Sequence, residues 1–260
     1  MRKRIQFNET QVKDIIERYK SGESVLAISK IYDVSNNTIK RLLDKHNIKS
    51  RGNRKHFYKE DIFKKIDTAE KAYWIGFITA DGYINEKKHF MRIKLQERDK
   101  NHLNKFVKFI KGDEGMIKYE YHNITGNKQY YVEVNGKDFI NSLVSLGVRQ
   151  GKSTNEQWCE QVPEKYLKDY IRGIIDGDGC IDVKRKNFDI SCSKTILQPI
   201  QDFFIENYGT TKTKIYNHYN TNRMYVSVNA INILNDLYYK RCVALDRKKK
   251  DVNYIMSCHV

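Results

Sequence analysis

Ile171 to Gly179 reads IRGIIDGDG, and a looser copy, WIGFITADG, runs from Trp74 to Gly82. Each is an apolar run with small residues four apart that ends in an acidic residue and a glycine. Gly173 with Gly177, and Gly76 with Ala80, fall on one face of a helix, so two such helices can approach almost backbone to backbone. That packing sets Asp81 beside Asp178. Each carboxylate then lies in the last turn of its helix, at the negative end of the dipole and next to a like charge. Something positive must offset both. Either copy alone also reads as an ordinary buried helix closed by an Asp-Gly turn. Only the pairing of the copies, and the residues downstream of each, separate the two readings.

Outward from the first copy, Asp67 and Glu70 have capping-box spacing and open a helix that ends at Asp81. Met91 to Gln96 alternates, with Met91, Ile93 and Leu95 on one side and Arg92, Lys94 and Gln96 on the other, as a strand with one core face and one basic face. Leu103, Phe106, Val107 and Ile110 have helical spacing. Two strand-like runs, Met116 to His122 and Gln129 to Asn135, precede a helix from Lys137 to Leu146. The pattern then recurs: Tyr131-Val132-x-Val134-Asn135 returns as Tyr225-Val226-x-Val228-Asn229, and Asn141 and Leu143 match Asn235 and Leu237. Phe106 and Phe203 each lie 25 residues past their aspartate. Each half therefore reads helix, two strands, helix, two strands, helix. Pro163 suits the first turn of the helix that bears Asp178.

Residues 1–68 carry 17 Lys and Arg against 9 Asp and Glu, half of the whole excess. Thr10 to Lys20 has Val12, Ile15, Ile16 and Tyr19 at helical spacing and ends at Ser21-Gly22. A second short helix fits Ser24 to Ile31. Ser35 is a good N-cap for a third, Asn36 to Lys45, with Ile39, Leu42 and Leu43 inward. ESVLAISKIYDVSNNTIKRLL resembles a helix-turn-helix of the resolvase type, in which the last helix enters the major groove and Asn36, Asn37, Lys40 and Arg41 face DNA. The usual turn glycine is absent, so Asp33 has to take the left-handed conformation. A plain helical bundle with a solvated basic face is the competing reading. Residues 46–66 are polar and basic, with Ser50-Arg51-Gly52-Asn53-Arg54 as a flexible link, either simply solvated or tracking a DNA backbone.

The 260 residues carry a formal net charge of +16 and a pI near 9.4. That balance points to a polyanionic partner, nucleic acid ahead of a membrane surface. The 18 tyrosines add a residue type that contacts bases and phosphates. Five cysteines without a CxxC pair, and histidines that make no ligand-spaced cluster with them, argue against zinc and disulfides. No membrane span and no signal peptide is expected, which implies an intracellular protein, cytoplasmic or nucleoid-associated.

The two copies, the repeat between them and the passage from GVRQGKS to IRGIIDGDGCI resemble the LAGLIDADG (DOD-type) homing endonucleases in their single-chain, two-repeat form, over about residues 68–253. The resemblance implies an α+β fold. It implies two pseudo-symmetric αββαββα repeats whose antiparallel sheets would form a DNA-binding saddle, preceded by the small all-α domain. The expected divisions are 1–48 for the helix-turn-helix, 49–66 for a basic linker, 67–156 for the first repeat and 157–260 for the second. It implies that Asp81 and Asp178 bind divalent metal, Mg²⁺ or Mn²⁺, at the scissile phosphates, and that both strands are cut across the minor groove to leave short 3′ overhangs. A basic residue follows the last helix of each half in the family; Lys152 and Lys248 lie 71 and 70 residues past their aspartates, with Arg247, Lys249 and Lys250 competing for the second place. Gln96 and Ser193, both 15 residues past their aspartates, match the polar residues that help position water. Thr79 stands where the second copy has Asp176.

DNA contacts are expected from the exposed strand face, at Arg92, Lys94, Lys118, Lys184 and Lys186. The function implied is a monomeric, site-specific endonuclease that cuts a long double-stranded DNA target and promotes intron or gene mobility. The alternatives are a non-enzymatic DNA-binding transcriptional regulator and an RNA-splicing maturase on the same scaffold. An intein is not expected, since no splicing segments flank the motifs.

Overall fold

The computed structural model describes residues 7–21, 23–48, 56–149 and 157–258. They divide into two compact units, one up to Phe57 and one from Tyr58 onward.

The smaller unit is three helices: α1 (Glu9–Lys20), α2 (Val25–Ile31) and α3 (Asn36–Lys45). Each begins at a polar N-cap whose side chain accepts a backbone N–H of the first turn, Asn8 from Gln11, Ser24 from Ala27 and Ser35 from Thr38. Asn8 and Gln11 form a reciprocal capping box, which starts α1 one residue before Thr10. Ile15, Tyr19, Ile28, Ile39, Leu42 and Leu43 close the core. Asp33 turns the chain into α3 with φ of +50°, the conformation a missing glycine demands. The Asp14 carboxylate accepts from Arg18 and from the Tyr32 hydroxyl, which fastens α1 to the end of α2.

The larger unit repeats one plan twice. The first repeat is α4 (Ala69–Asp81), β1 (Gly82–Asn85), β2 (Phe90–Gln96), α5 (Lys100–Phe109), β3 (Ile117–Tyr121), β4 (Lys128–Asn135) and α6 (Lys137–Ser145). The second is α7 (Leu167–Asp178), β5 (Gly179–Asp182), β6 (Asn187–Cys192), α8 (Lys194–Tyr208), β7 (Tyr216–His218), β8 (Thr221–Val226) and α9 (Ala230–Leu237), followed by α10 (Asp246–Ser257). Each repeat forms a four-stranded antiparallel sheet, in order β1-β2-β4-β3 and β5-β6-β8-β7. The fold is α+β, as the resemblance implied. Met91, Ile93, Leu95, Val132 and Val134 turn one face of the first sheet into the core, following the period-2 alternation of their strands. Among the described residues no helix is long and apolar enough to cross a membrane, and all five cysteines are free.

Three expectations are corrected. Thr68, not Asp67, caps α4: its hydroxyl accepts from Lys71 N–H, while Asp67 forms an ion pair with the Lys71 ammonium at 2.8 Å. Residues 49–55 of the expected linker lie outside the described residues, but its later part belongs to the core. Tyr58, Ile62, Phe63 and Ile66 are buried, and Lys59 N–H donates to Ile110 O at 2.7 Å. The repeated string is also out of step with the sheets. Met91 faces Val134 across β2–β4 whereas its counterpart Phe188 faces Val226 across β6–β8, so Val226 corresponds to Val134 and not to Val132. Three residues separate β8 from α9 but one separates β4 from α6. A shift of two keeps every side chain on its face, which is why it is tolerated.

Candidate active site

The helices α4 and α7 cross backbone to backbone. A Cβ placed on Gly76 would lie 2.0 Å from Tyr170 O, one on Gly173 2.1 Å from Tyr73 O, and one on Gly177 2.3 Å from the Ala80 methyl. The small-residue face read from the sequence is therefore the contact itself. Asp81 and Asp178 end the two helices side by side, and the same Gly177 Cβ would lie 3.4 Å from Asp81 N. Gly82 and Gly179 follow as C-caps with extended φ of −78° and −94°, and their N–H groups donate to Ile78 O and Ile175 O. Neither glycine serves a left-handed turn. Each is needed because the chain passes from helix straight into strand, where a Cβ would lie 2.7 Å from Ile78 O or 2.6 Å from Ile175 O.

Lys248, in the first turn of α10, enters this centre and is 1% exposed. Its ammonium donates to Asp176 O at 2.8 Å, to Gly179 O at 2.6 Å and to Ile175 O, the carbonyls at the C-terminal end of α7. Burial pulls its pKa below the usual lysine value, and the carboxylates of Asp176, Asp81 and Asp178 work against that pull. The offsetting positive charge that the sequence demanded is thus present. It is a buried lysine, however, and not one that faces outward.

Asp176 is fully buried. Its carboxylate accepts from the hydroxyls of Tyr73 and Tyr238 and from Leu245 N–H, each at 2.7 Å. Burial raises its pKa, and Lys248 with those donors holds it down. Tyr73 also meets His102 Nε2 at 2.9 Å. Its single proton goes to Asp176, so His102 donates from Nε2; desolvation lowers the imidazole pKa to about 3, which keeps it neutral. Arg172, 1% exposed, donates to Val243 O at 2.8 Å, to Leu237 O at 2.7 Å and to Asp169 at 2.7 Å. Asp176 and Arg172 together tie the segment before α10 to α7. Thr79, at the matching place in α4, returns its hydroxyl to Ile75 O at 2.8 Å instead.

Lys152 lies outside the described residues. Gln96, the last residue of β2, and Ser193, the first after β6, both occupy N-cap positions; Gln96 is exposed and Ser193 half-buried, with its Oγ 2.8 Å from Thr195 Oγ1. Of the strand residues, Arg92 pairs with Glu133 at 2.7 Å and lies over the Tyr131 ring, Lys94 pairs with Glu120 at 3.0 Å, and Lys118 is exposed on β3. Lys184 and Lys186 are not on a strand face but in the turn between β5 and β6, where Lys186 takes φ of +53° and donates to Cys258 O. In the smaller unit Asn36, Asn37, Lys40 and Arg41 are all exposed along α3; Asn36 Oδ1 accepts from Ser29 at 2.6 Å, binding α3 to α2.

The oxygen-only donor set fits a hard divalent ion. Among the described residues no group of three or more His, Cys, Asp or Glu converges. Asp81 and Asp178 would be the protein ligands of such an ion, which would need water or phosphate oxygens to fill its shell. The buried network of Tyr73, His102, Arg172 and Tyr238 is not among the residues the sequence singles out. Its one signal there is a charged residue, Arg172, inside an apolar helix, which requires a partner.

Residues 68–146 match the family model described as LAGLIDADG-like domain. Over 184 residues the chain is 26% identical to the isomerizing glutamine–fructose-6-phosphate aminotransferase of Methanocaldococcus jannaschii; the match takes in 66% of this chain and spans 16% of that protein. The homing endonuclease I-WcaI bound to its DNA recognition sequence superimposes with a TM-score of 0.51 at 14% identity, over 80% of this chain and 96% of its own. The N-terminal LAGLIDADG domain of DUF199/WhiA gives a TM-score of 0.46 at 14% identity, over 70% of this chain and 91% of its own. Residues 68–146 are thus similar to a LAGLIDADG-like domain, and the fold of the larger unit is shared with I-WcaI.

Proposed function

We propose that the chain is a site-specific DNA endonuclease that makes metal-dependent double-strand breaks and acts as a monomer, since one chain supplies both carboxylates. The observation that carries this reading is the meeting of Asp81 and Asp178 at the ends of two helices that touch through glycine. A protein that only binds DNA gains nothing from two acidic groups held together where phosphate would approach. Asp81 and Asp178 hold the divalent ion, Mg²⁺ by preference, and Gln96 and Ser193 position water at the two half-sites. When bound, the ion polarises the scissile phosphate and lowers the pKa of the attacking water. Arg92, Lys94 and Lys118 on the polar face of the first sheet, with Lys184 and Lys186 at the turn of the second, seat the duplex.

The smaller unit acts as a helix-turn-helix that adds contacts through α3. If six or more phosphates are neutralised, DNA affinity falls about 10³-fold or more between low and moderate salt. The deciding experiment incubates the protein and Mg²⁺ with a randomised or host-derived DNA library and sequences the ends. Discrete breaks that disappear in Asp178→Asn support the proposal. Specific binding without cleavage at any divalent metal overturns it in favour of a regulator.

A further inference from the structure

Lys248 donates all that it has. An ammonium carries three protons, and Ile175 O, Asp176 O and Gly179 O take them. At 1% exposure it touches no bulk water, so it cannot serve as a base or donor toward phosphate without breaking a bond it already makes. It also sits in the first turn of a helix, where the dipole disfavours a cation. A position so costly for a charge needs a local reason. The reason lies in its neighbours: α7 ends there with its unsatisfied carbonyls, and Asp81, Asp176 and Asp178 all act on the ammonium. The rest of the basic run is engaged elsewhere or outward: Arg247 on Asp99 at 3.2 Å, Lys249 on Cys242 O at 3.2 Å, and Lys250 exposed. Asp176 completes the arrangement from the other side, since its side chain holds Leu245 N–H, the N-cap of α10, at 2.7 Å. Side chain of α7 to backbone of α10, and side chain of α10 to backbone of α7, form a reciprocal lock.

We infer that Lys248 is a positioning residue, a built-in counter-cation that fixes the end of α7 beside Asp81 when no divalent ion is bound, and not a group that meets the DNA. This holds whether or not the chain cleaves DNA, so its test needs no cleavage. Trp74 and Trp158 are the two tryptophans of the chain and both belong to the larger unit, so their fluorescence in the full-length protein reports on that unit alone. Thermal unfolding is measured in EDTA and in millimolar Ca²⁺ for the wild type and Lys248→Met. The expected result is a midpoint about 10 °C lower for the variant in EDTA, and a larger rise on adding Ca²⁺ than the wild type shows. Should Lys248→Met not fold, Lys248→Met/Asp178→Asn is expected to recover folding, because one of the charges the lysine offsets is gone. A variant midpoint in EDTA within about 2 °C of wild type, equal Ca²⁺ increments in both proteins, or no recovery in the double variant overturns the inference.

Discussion

Gly173→Ala tests whether backbone contact between α4 and α7 holds the centre together. The added methyl would lie 2.1 Å from Tyr73 O and 2.7 Å from Phe77 N. Ordinary contact begins near 3.4 Å, so the helices must part by about 1.3 Å at this crossing. Both obstacles are backbone, and no side chain can rotate away, which puts the cost at the upper end for overpacking, about 3 kcal/mol. The same displacement stretches the 2.7 Å bond from Tyr73 to Asp176 beyond bonding range and leaves a buried carboxylate short of a donor, a further ~1 kcal/mol or more. About 4 kcal/mol in all lowers the midpoint of a unit this size by roughly 8–16 °C. Urea and thermal unfolding followed by tryptophan fluorescence measure it. Ala80→Gly/Gly177→Ala is the matched control, since it moves one methyl across the same interface from α4 to α7. Its stability should stay within about 1 kcal/mol of wild type. A wild-type midpoint for Gly173→Ala, or a swap as damaging as the single change, refutes the reasoning.

His102 stays neutral in the folded protein, with a pKa of about 3 against 6.5 when free. Below pH 6.5 the unfolded chain therefore binds a proton that the folded one does not, and stability falls by about 1.4 kcal/mol per pH unit as pH drops toward 3. His102→Gln should remove about 2 kcal/mol of the loss between pH 7 and pH 5; parallel urea titrations of the two proteins would contradict this. Asp176→Asn turns an amide toward hydroxyls that now donate to a carboxylate, and should cost about 3 kcal/mol, read from the urea midpoint. Leu43→Ala, at 1% exposure in a core of six buried residues, should cost about 3 kcal/mol and expose the N-terminal unit to limited proteolysis while tryptophan fluorescence of the larger unit is unchanged. Resistance of that unit equal to wild type would count against its having an independent core.

The elements that depend on local pattern were legible. Ser35 caps the helix it should, Asp33 takes the left-handed turn, and Met91, Ile93 and Leu95 point inward as alternation requires. The glycine faces of α4 and α7 were legible because four-residue spacing has one geometric meaning on a helix. What escaped was set by tertiary environment. Whether a lysine in a run of four basic residues is buried depends on which carbonyls lie beneath it, and Arg247 to Lys250 are chemically too alike for the sequence to separate them. Tyr58, Ile62, Phe63 and Ile66 were hidden among lysines that point away from the core they enter. Thr68 and Asp67 are both good caps, and only the backbone decides between them. The string repeated at Tyr131 and Tyr225 kept its side-chain faces through a two-residue shift, so nothing in its alternation betrayed the changed register.

The polar face of the sheets carries a trace of divergence between the halves. Strand register makes Asp189 of β6 the counterpart of Arg92 of β2, and Arg223 of β8 the counterpart of Tyr131 of β4. In the first sheet the arginine on β2 pairs with Glu133 of β4 across from it; in the second the acid is on β6 and the arginine on β8, at 2.7 Å in both. Changing the β2 or the β6 residue alone to its counterpart would set two acids together in the first sheet or two arginines together in the second. The two pairs are not equivalent across the repeat, since the counterpart of Glu133 is Tyr225 and that of Arg223 is Tyr131, so each sheet answers its β2 or β6 charge from a different position on the neighbouring strand. Exchanging β2 and β6 between the sheets would break both pairs at once, setting Asp189 against Glu133 and Arg92 against Arg223.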